Sequence, residues 1–159
     1  MNAPTPRIDG VRIKQLKVIP DERGRLMEIL RSDDSLFEKF GQVYVTTAKA
    51  GVVKAWHYHK LQADHWVCLF GQALVGLYDA RDGSPTQGRI EEFWMMPQDP
   101  FLLKIPIGVF HGFKGCDPAG GETMIMNLPT VVYNYETPDE YRADWQAPAI
   151  RFDWNRMAP

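Results

Sequence analysis

The chain has 159 residues, 45% apolar and 24% charged, with a formal net charge of −2. These values describe one ordinary domain over residues 1–159, long enough to fold without disulfide or metal staples. The near-neutral charge excludes the broad basic face that nucleic acid or an anionic membrane requires, and leaves room for a local basic pocket that takes a phosphorylated small molecule.

The chain opens on a polar, proline-containing stretch, Met1–Gly10, which lacks the apolar centre of a secretory signal. The apolar runs that follow are short, rich in Val, Ile, Phe, Tyr and Trp, and bounded by Gly, Pro or Asp, which is the rhythm of an all-β sandwich or barrel. Strands are predicted at Ile13–Ile19, Gly24–Leu30, Gln42–Thr47, Val52–His59, His65–Phe70, Ala73–Asp79, Ile90–Met96, Phe101–Ile105 and Thr123–Leu128. Gly71-Gln72 reads as a tight hairpin turn, and Arg81–Gly88 as a long loop punctuated by Gly, Ser and Pro. Two minor helices are expected, at Ser35–Phe40 behind a serine cap and at Thr137–Tyr141, where Pro138 follows its cap residue. His65–Asp79 is apolar on both strand faces, so one face packs inside a barrel and the other against a second sheet or subunit. Cys68 and Cys116 are too few and too far apart for a disulfide framework or a zinc motif. No run reaches the ~18 to 20 apolar residues of a membrane span. A reduced, cytoplasmic setting is expected.

All four histidines fall in two short segments. His57 and His59 lie two apart on a predicted strand, so both imidazoles enter one space. Asp64 follows them, and His111 sits behind a Pro/Gly turn. His65, next to Asp64, faces the other way and reads as structural. The pattern is H-x-H-x4-D-x6-G followed by P-x-G-x-x-H. It resembles the two motifs of the cupin superfamily, with Asp64 where a Glu is usual, and implies a double-stranded β-helix barrel. Three imidazoles and a carboxylate suit a divalent metal; acid–base work without metal, or hydrogen bonding within a polar barrel, are the alternatives.

A second resemblance runs from about Ile19 to Trp154. Asp21, Arg23, Gly24 and Glu28 match a D-x-R-G-x-F-x-E element, and Gln42 stands fifteen residues before His57. Gly51–His57 is similar to G-V-x-R-G-x-H, with Lys54 in the arginine position. Asp79–Gly88 matches D-x-R-x-x-S-P-T-x-G, and His111-Gly112-Phe113 matches H-G-F. Ile150–Trp154 resembles a closing I-x-x-x-W strand. In order and spacing these elements resemble the dTDP-4-dehydrorhamnose 3,5-epimerase family, a branch of the cupins that usually works without metal.

The resemblance implies an isomerase acting on a nucleotide-linked 4-keto-6-deoxy sugar by proton abstraction beside the ketone. His57 takes the place of the base, Tyr133 that of an active-site tyrosine, and Lys54 that of a partner for the enolate or phosphate. Strict alternation puts Lys54 on the opposite face from His57, so a bulge near Ala55 is required. Arg23, Glu28, Gln42, His59, Asp64, His111 and Asn127 are the expected substrate contacts, with Arg23 on the diphosphate. Besides Lys54, the chain departs from the family at three positions: Asn127 replaces a catalytic tyrosine, Asp64 a lysine, and Leu26 a phenylalanine that stacks on thymine. No cofactor is expected, the alternative being a divalent metal on His57, His59, Asp64 and His111. A homodimer with a nucleotide-sugar substrate, and with no nucleic acid or membrane partner, completes the reading. Its rivals are a sugar 3,4-ketoisomerase, a metal-dependent cupin enzyme and a non-catalytic sugar-binding barrel.

Overall fold

The computed structural model describes residues 3–158. Twelve strands are present among them: β1 (Arg12–Gln15), β2 (Val18–Asp21), β3 (Gly24–Met27), β4 (Tyr44–Lys49), β5 (Val53–Tyr58), β6 (Asp64–Phe70), β7 (Ala73–Asp79), β8 (Ile90–Met95), β9 (Phe101–Ile105), β10 (Val109–Gly115), β11 (Glu122–Asn127) and β12 (Tyr141–Arg142). They form two five-stranded sheets, in the orders β1-β9-β6-β11-β4 and β12-β5-β10-β7-β8. β2 and β3 pair only with each other, as a separate hairpin. All pairings are antiparallel. The architecture is the cupin-type β-barrel expected from the motifs.

Period-two patterning sorts the side chains. Trp66 and Cys68 of β6, Val75 and Leu77 of β7, Leu103 and Ile105 of β9, Phe113 and Ile125 point between the sheets and form the largest core. The outer faces are also covered, as the two-sided apolar pattern of residues 65–79 requires, but by the chain itself. Leu16, Leu36 and neighbouring residues lie over Val67 and Leu102 on one sheet. Ile150 and Trp154 lie over Trp56 and Leu74 on the other, with the Trp56 and Trp154 ring centroids 5.0 Å apart.

Three expectations are corrected. No helix occurs among the described residues. The Ser35 segment is a set of turns, because Asp34 accepts from the Arg31 amide and from Lys14, and Leu36 is drawn into the core. At 134–139, Asn134 Oδ1 caps the amides of Glu136 and Thr137 in an Asx turn, a side-chain bond that competes with helix. The run Ile13–Ile19 is two strands, since Leu16 turns inward to bond Pro100 O and β2 leaves the barrel for its hairpin. The segment 150–154 is irregular rather than a strand, its Phe152 amide folding back on Ile150 O. β10, which the strand pattern does not mark, carries Gly112 where a Cβ would lie 2.3 Å from that of Ala55.

Candidate active site

The β5–β10 pairing sets His57 directly opposite His111, with their ring centroids 4.1 Å apart. His59 follows His57 past the end of β5, and Asp64 opens β6 in the facing sheet. One ligand atom from each of His57, His59, Asp64 and His111 lies within 4.8 Å of all the others. His65 points to the opposite face, as alternation requires, and its ring nitrogens meet the carbonyls of Leu128 and Leu36.

The hydrogen bonds determine where the protons sit. His111 Nδ1 bonds Val109 O at 2.9 Å, and His59 Nδ1 bonds Asp139 O. Carbonyls only accept, so both Nδ1 atoms carry hydrogen and both Nε2 atoms turn toward Asp64. They lie 3.1 Å (His111) and 3.4 Å (His59) from Asp64 Oδ2, while Gln62 Nε2 donates to Oδ1 at 2.8 Å. A carboxylate facing two imidazole lone pairs requires a proton or a cation among them. Burial opposes charge on His59, but the Asp64 carboxylate and the Asp139 carbonyl outweigh it and raise its pKa. Burial also opposes charge on Asp64, yet His111 and His59 hold its pKa well below the usual carboxylate range. His57 behaves differently: burial first, then His111, push its pKa well below that of a free imidazole. A shared proton satisfies this cluster, and its donor set equally fits a divalent cation.

Two adjoining cavities open beside the histidines. The inner one, about 350 Å³, is bounded by Thr46, Lys54, Trp66, Phe113 and Arg142 among others. The outer one, about 490 Å³, includes Gln42, His59, Gln62, Tyr133 and Tyr135. Tyr44, His57 and Glu140 line both. Lys54 reaches the inner cavity through the expected bulge: Lys54 pairs with Phe113 and His57 with His111, so two residues of β5 oppose Gly112 alone. Its ammonium donates to Thr46 Oγ1 at 2.5 Å and to Thr47 O at 3.2 Å.

Of the residues singled out in the sequence, His57, His59, Asp64, His111, Lys54, Gln42 and Tyr133 therefore converge on these cavities or the adjoining cluster. Gln42 Oε1 also accepts the Tyr133 amide at 3.1 Å. Asn127 is fully buried and lies behind the cavity wall, bonded to the hydroxyl of Tyr44. Arg23 and Glu28 line neither cavity. Arg23 pairs with Asp21 at the tip of the hairpin, and Glu28 pairs with Arg31. The Asp79–Gly88 element is architectural. The buried Asp79 carboxylate accepts from Arg81 Nε, Ser84 Oγ and Thr86 Oγ1 at 2.6–2.8 Å and clamps the loop after β7.

The sequence reading missed Tyr44, Asp139, Glu140 and Arg142. Tyr44 stands two residues after Gln42, and period-two logic would have placed it on the same face. Asp139 gave no comparable signal. Its carboxylate receives the amides of Lys60, Leu61 and Gln62, and its carbonyl orients His59. That bond network joins positions about eighty residues apart.

Comparison with known proteins bears on the family and the fold. The chain is 42% identical over 150 residues to the spore coat polysaccharide biosynthesis protein SpsL of Bacillus subtilis, covering 93% of this chain and 97% of the relative. It is 40% identical over 154 residues to a probable low-salt glycan biosynthesis epimerase, Agl13, of Haloferax volcanii, covering 94% and 96%. Among solved structures, a dTDP sugar isomerase from Desulfovibrio desulfuricans superposes with a TM-score of 0.85 at 31% identity, covering 92% of each chain. The Mycobacterium tuberculosis rmlC epimerase superposes at 0.82 with 26% identity, covering 97% of this chain and 78% of that one. Residues 5–159 match the family model described as dTDP-4-dehydrorhamnose 3,5-epimerase. With that match across nearly its whole length, the chain belongs to the dTDP-4-dehydrorhamnose 3,5-epimerase family.

Proposed function

We propose that this protein is an epimerase of a nucleotide-linked 4-keto-6-deoxy sugar, working by proton abstraction next to the ketone. The observation that carries the reading is His57, a half-buried imidazole at the junction of the two cavities whose desolvation favours the uncharged form. A neutral imidazole is a competent base at physiological pH. His57 takes the hydrogen on C3 or C5, the electron pair moves to the C4 oxygen, and the Lys54 ammonium, on the same strand as His57, stabilises the enolate in the inner cavity. Return of a proton from the other side inverts the carbon.

His59, Asp64 and His111 share one proton beneath His57 in this reading, and no cofactor enters the reaction. The same three side chains with His57 would be the holders of a divalent cation, whose chemistry there is Lewis-acid polarisation of the ketone. The decisive experiment incubates the protein with nucleotide-linked 4-keto-6-deoxyhexoses in deuterium oxide and follows the sugar by proton NMR. Deuterium at C3 or C5 with inverted configuration is expected. Binding without exchange at either carbon would refute an enzyme, and a ketone appearing at C3 would assign it to the ketoisomerases.

The working unit in this proposal is a cytoplasmic homodimer. β4 ends its sheet and leaves Val43 and Val45 about half exposed, while the β2–β3 hairpin exposes Ile19 and Leu26. A second copy's hairpin laid against this open edge would bury those side chains and carry Arg23 and Glu28 toward the diphosphate end of the cavity. Sedimentation at micromolar concentration tests it, a monomer being the contrary result.

A further inference from the structure

We propose that Tyr44 is the acid that delivers the proton to the face of the sugar opposite His57, with Asn127 holding its phenol oxygen. The inference rests on the epimerase reading and deepens it.

Four observations converge. First, Tyr44 lies on β4 and His57 on β5, strands of opposite sheets, and both line each of the two cavities. A sugar ring between the sheets therefore presents one face to the imidazole and the other to the phenol.

Second, the polarity of the Tyr44–Asn127 bond is determined. The His65 amide donates to Asn127 Oδ1 at 3.0 Å, so that atom is the carbonyl oxygen and the other is the amine. Asn127 Nδ2 then donates to the Tyr44 oxygen at 2.9 Å. A phenol has one hydrogen, and this bond leaves it unused. The proton of Tyr44 is free to point at a ligand, and the Asn127 amide stabilises the phenolate left after transfer.

Third, burial, followed by the Asp64 charge, pushes the Tyr44 pKa up to about 12. The hydroxyl stays protonated throughout the physiological range, as a donor must.

Fourth, the other tyrosine near the site is less well placed. Tyr133 lines only the outer cavity, its ring 5.0 Å from that of Tyr135. Lys54 and His57 share one strand and one wall, so Lys54 serves the enolate on the His57 side.

The step balances without a further reactant. His57 removes a C–H proton and becomes imidazolium as the enolate forms. The enolate collapses to the ketone as its carbon takes the Tyr44 proton on the opposite face. The phenolate and the imidazolium are reset by proton exchange through solvent.

The test is Tyr44→Phe, which removes one oxygen from a residue 39% exposed and leaves the ring in place. The readouts are solvent deuterium exchange into the substrate and formation of the inverted product, measured on the same nucleotide 4-keto sugar. Expected are exchange within about ten-fold of wild type and product formation lowered at least ~100-fold, the lower bound for losing a positioned acid. Asn127→Leu, which keeps Tyr44 and removes its hydrogen-bond donor, is expected to lower product formation by a smaller factor without lowering exchange. Product formation by Tyr44→Phe falling no further than exchange overturns the assignment, as does the same split appearing in Tyr133→Phe. Absence of exchange in wild-type protein is a different result: it removes the epimerase reading, and this proposal with it.

Discussion

Gly112 crosses Ala55 so closely that a Cβ on the glycine would lie 2.3 Å from the alanine Cβ and 2.7 Å from Lys54 O. This contact is the pivot of the β5 bulge, and the bulge turns Lys54 and His57 toward one cavity. Gly112→Ala must push the strands apart. The expected cost is roughly 2 to 3 kcal/mol of stability, as for other over-packed interiors, read from urea denaturation. Activity should fall more than stability explains under conditions where the variant remains folded. An unchanged midpoint and rate would mean that the bulge does not position the site.

Removing the base has a simpler signature. His57→Asn keeps a polar side chain but loses the titratable nitrogen. Exchange and epimerisation should both fall by about 10² to 10⁴, with the circular dichroism spectrum unchanged. A rate within a few-fold of wild type would assign the base elsewhere.

The pH profile follows from the two pKa directions. His57 must be neutral to act, and burial beside His111 holds its pKa well below the usual 6.5. The acid limb of kcat/KM should therefore have its midpoint below pH 6.5. Tyr44 must be protonated, and its pKa of about 12 removes any alkaline loss from that group below roughly pH 10. A midpoint at or above 6.5 would contradict a desolvated imidazole without a charge partner as the base.

Chelation separates the two occupants of the histidine cluster. Protein dialysed against a strong chelator and assayed in metal-free buffer should retain its epimerase rate, because a proton suffices to hold His59, Asp64 and His111 together. Stoichiometric metal at purification, with activity lost on its removal and restored on its return, would reverse this assignment.

Asp79 carries stability rather than chemistry. It is fully buried, and four side-chain bonds from Arg81, Ser84 and Thr86 converge on it. Although burial opposes its charge, these bonds depress its pKa below the usual 3.8. Asp79→Asn should cost roughly 2 to 4 kcal/mol at pH 7, the range for charge-assisted bonds and broken buried pairs. The difference should shrink as pH falls below about 4, because a depressed pKa adds stability only while the unfolded carboxyl is ionised. Equal denaturation midpoints for variant and wild type at pH 7 would refute the clamp.

The sequence by itself determined the β class, most strand positions and the convergence of His57, His59 and His111 with Asp64. Those features are local: alternation sets which face a side chain takes, and two short motifs carry the four groups. It also implied the bulge at Ala55, because Lys54 and His57 are three apart and cannot otherwise share a face. Only the tertiary structure decided the rest. Tyr44 and Asn127 are eighty-three residues apart and meet because β4 and β11 are neighbours. Asp139 controls His59 through a loop whose turns follow from Asn134 rather than from helical propensity. Arg23 and Glu28 sit in a motif that resembles a substrate-binding element, yet the β2–β3 hairpin pairs only with itself and within one copy of the chain neither residue lines a cavity. Strand order and hydrogen-bond polarity arise from which distant segments become neighbours, and periodicity along the chain records only the face that each residue presents.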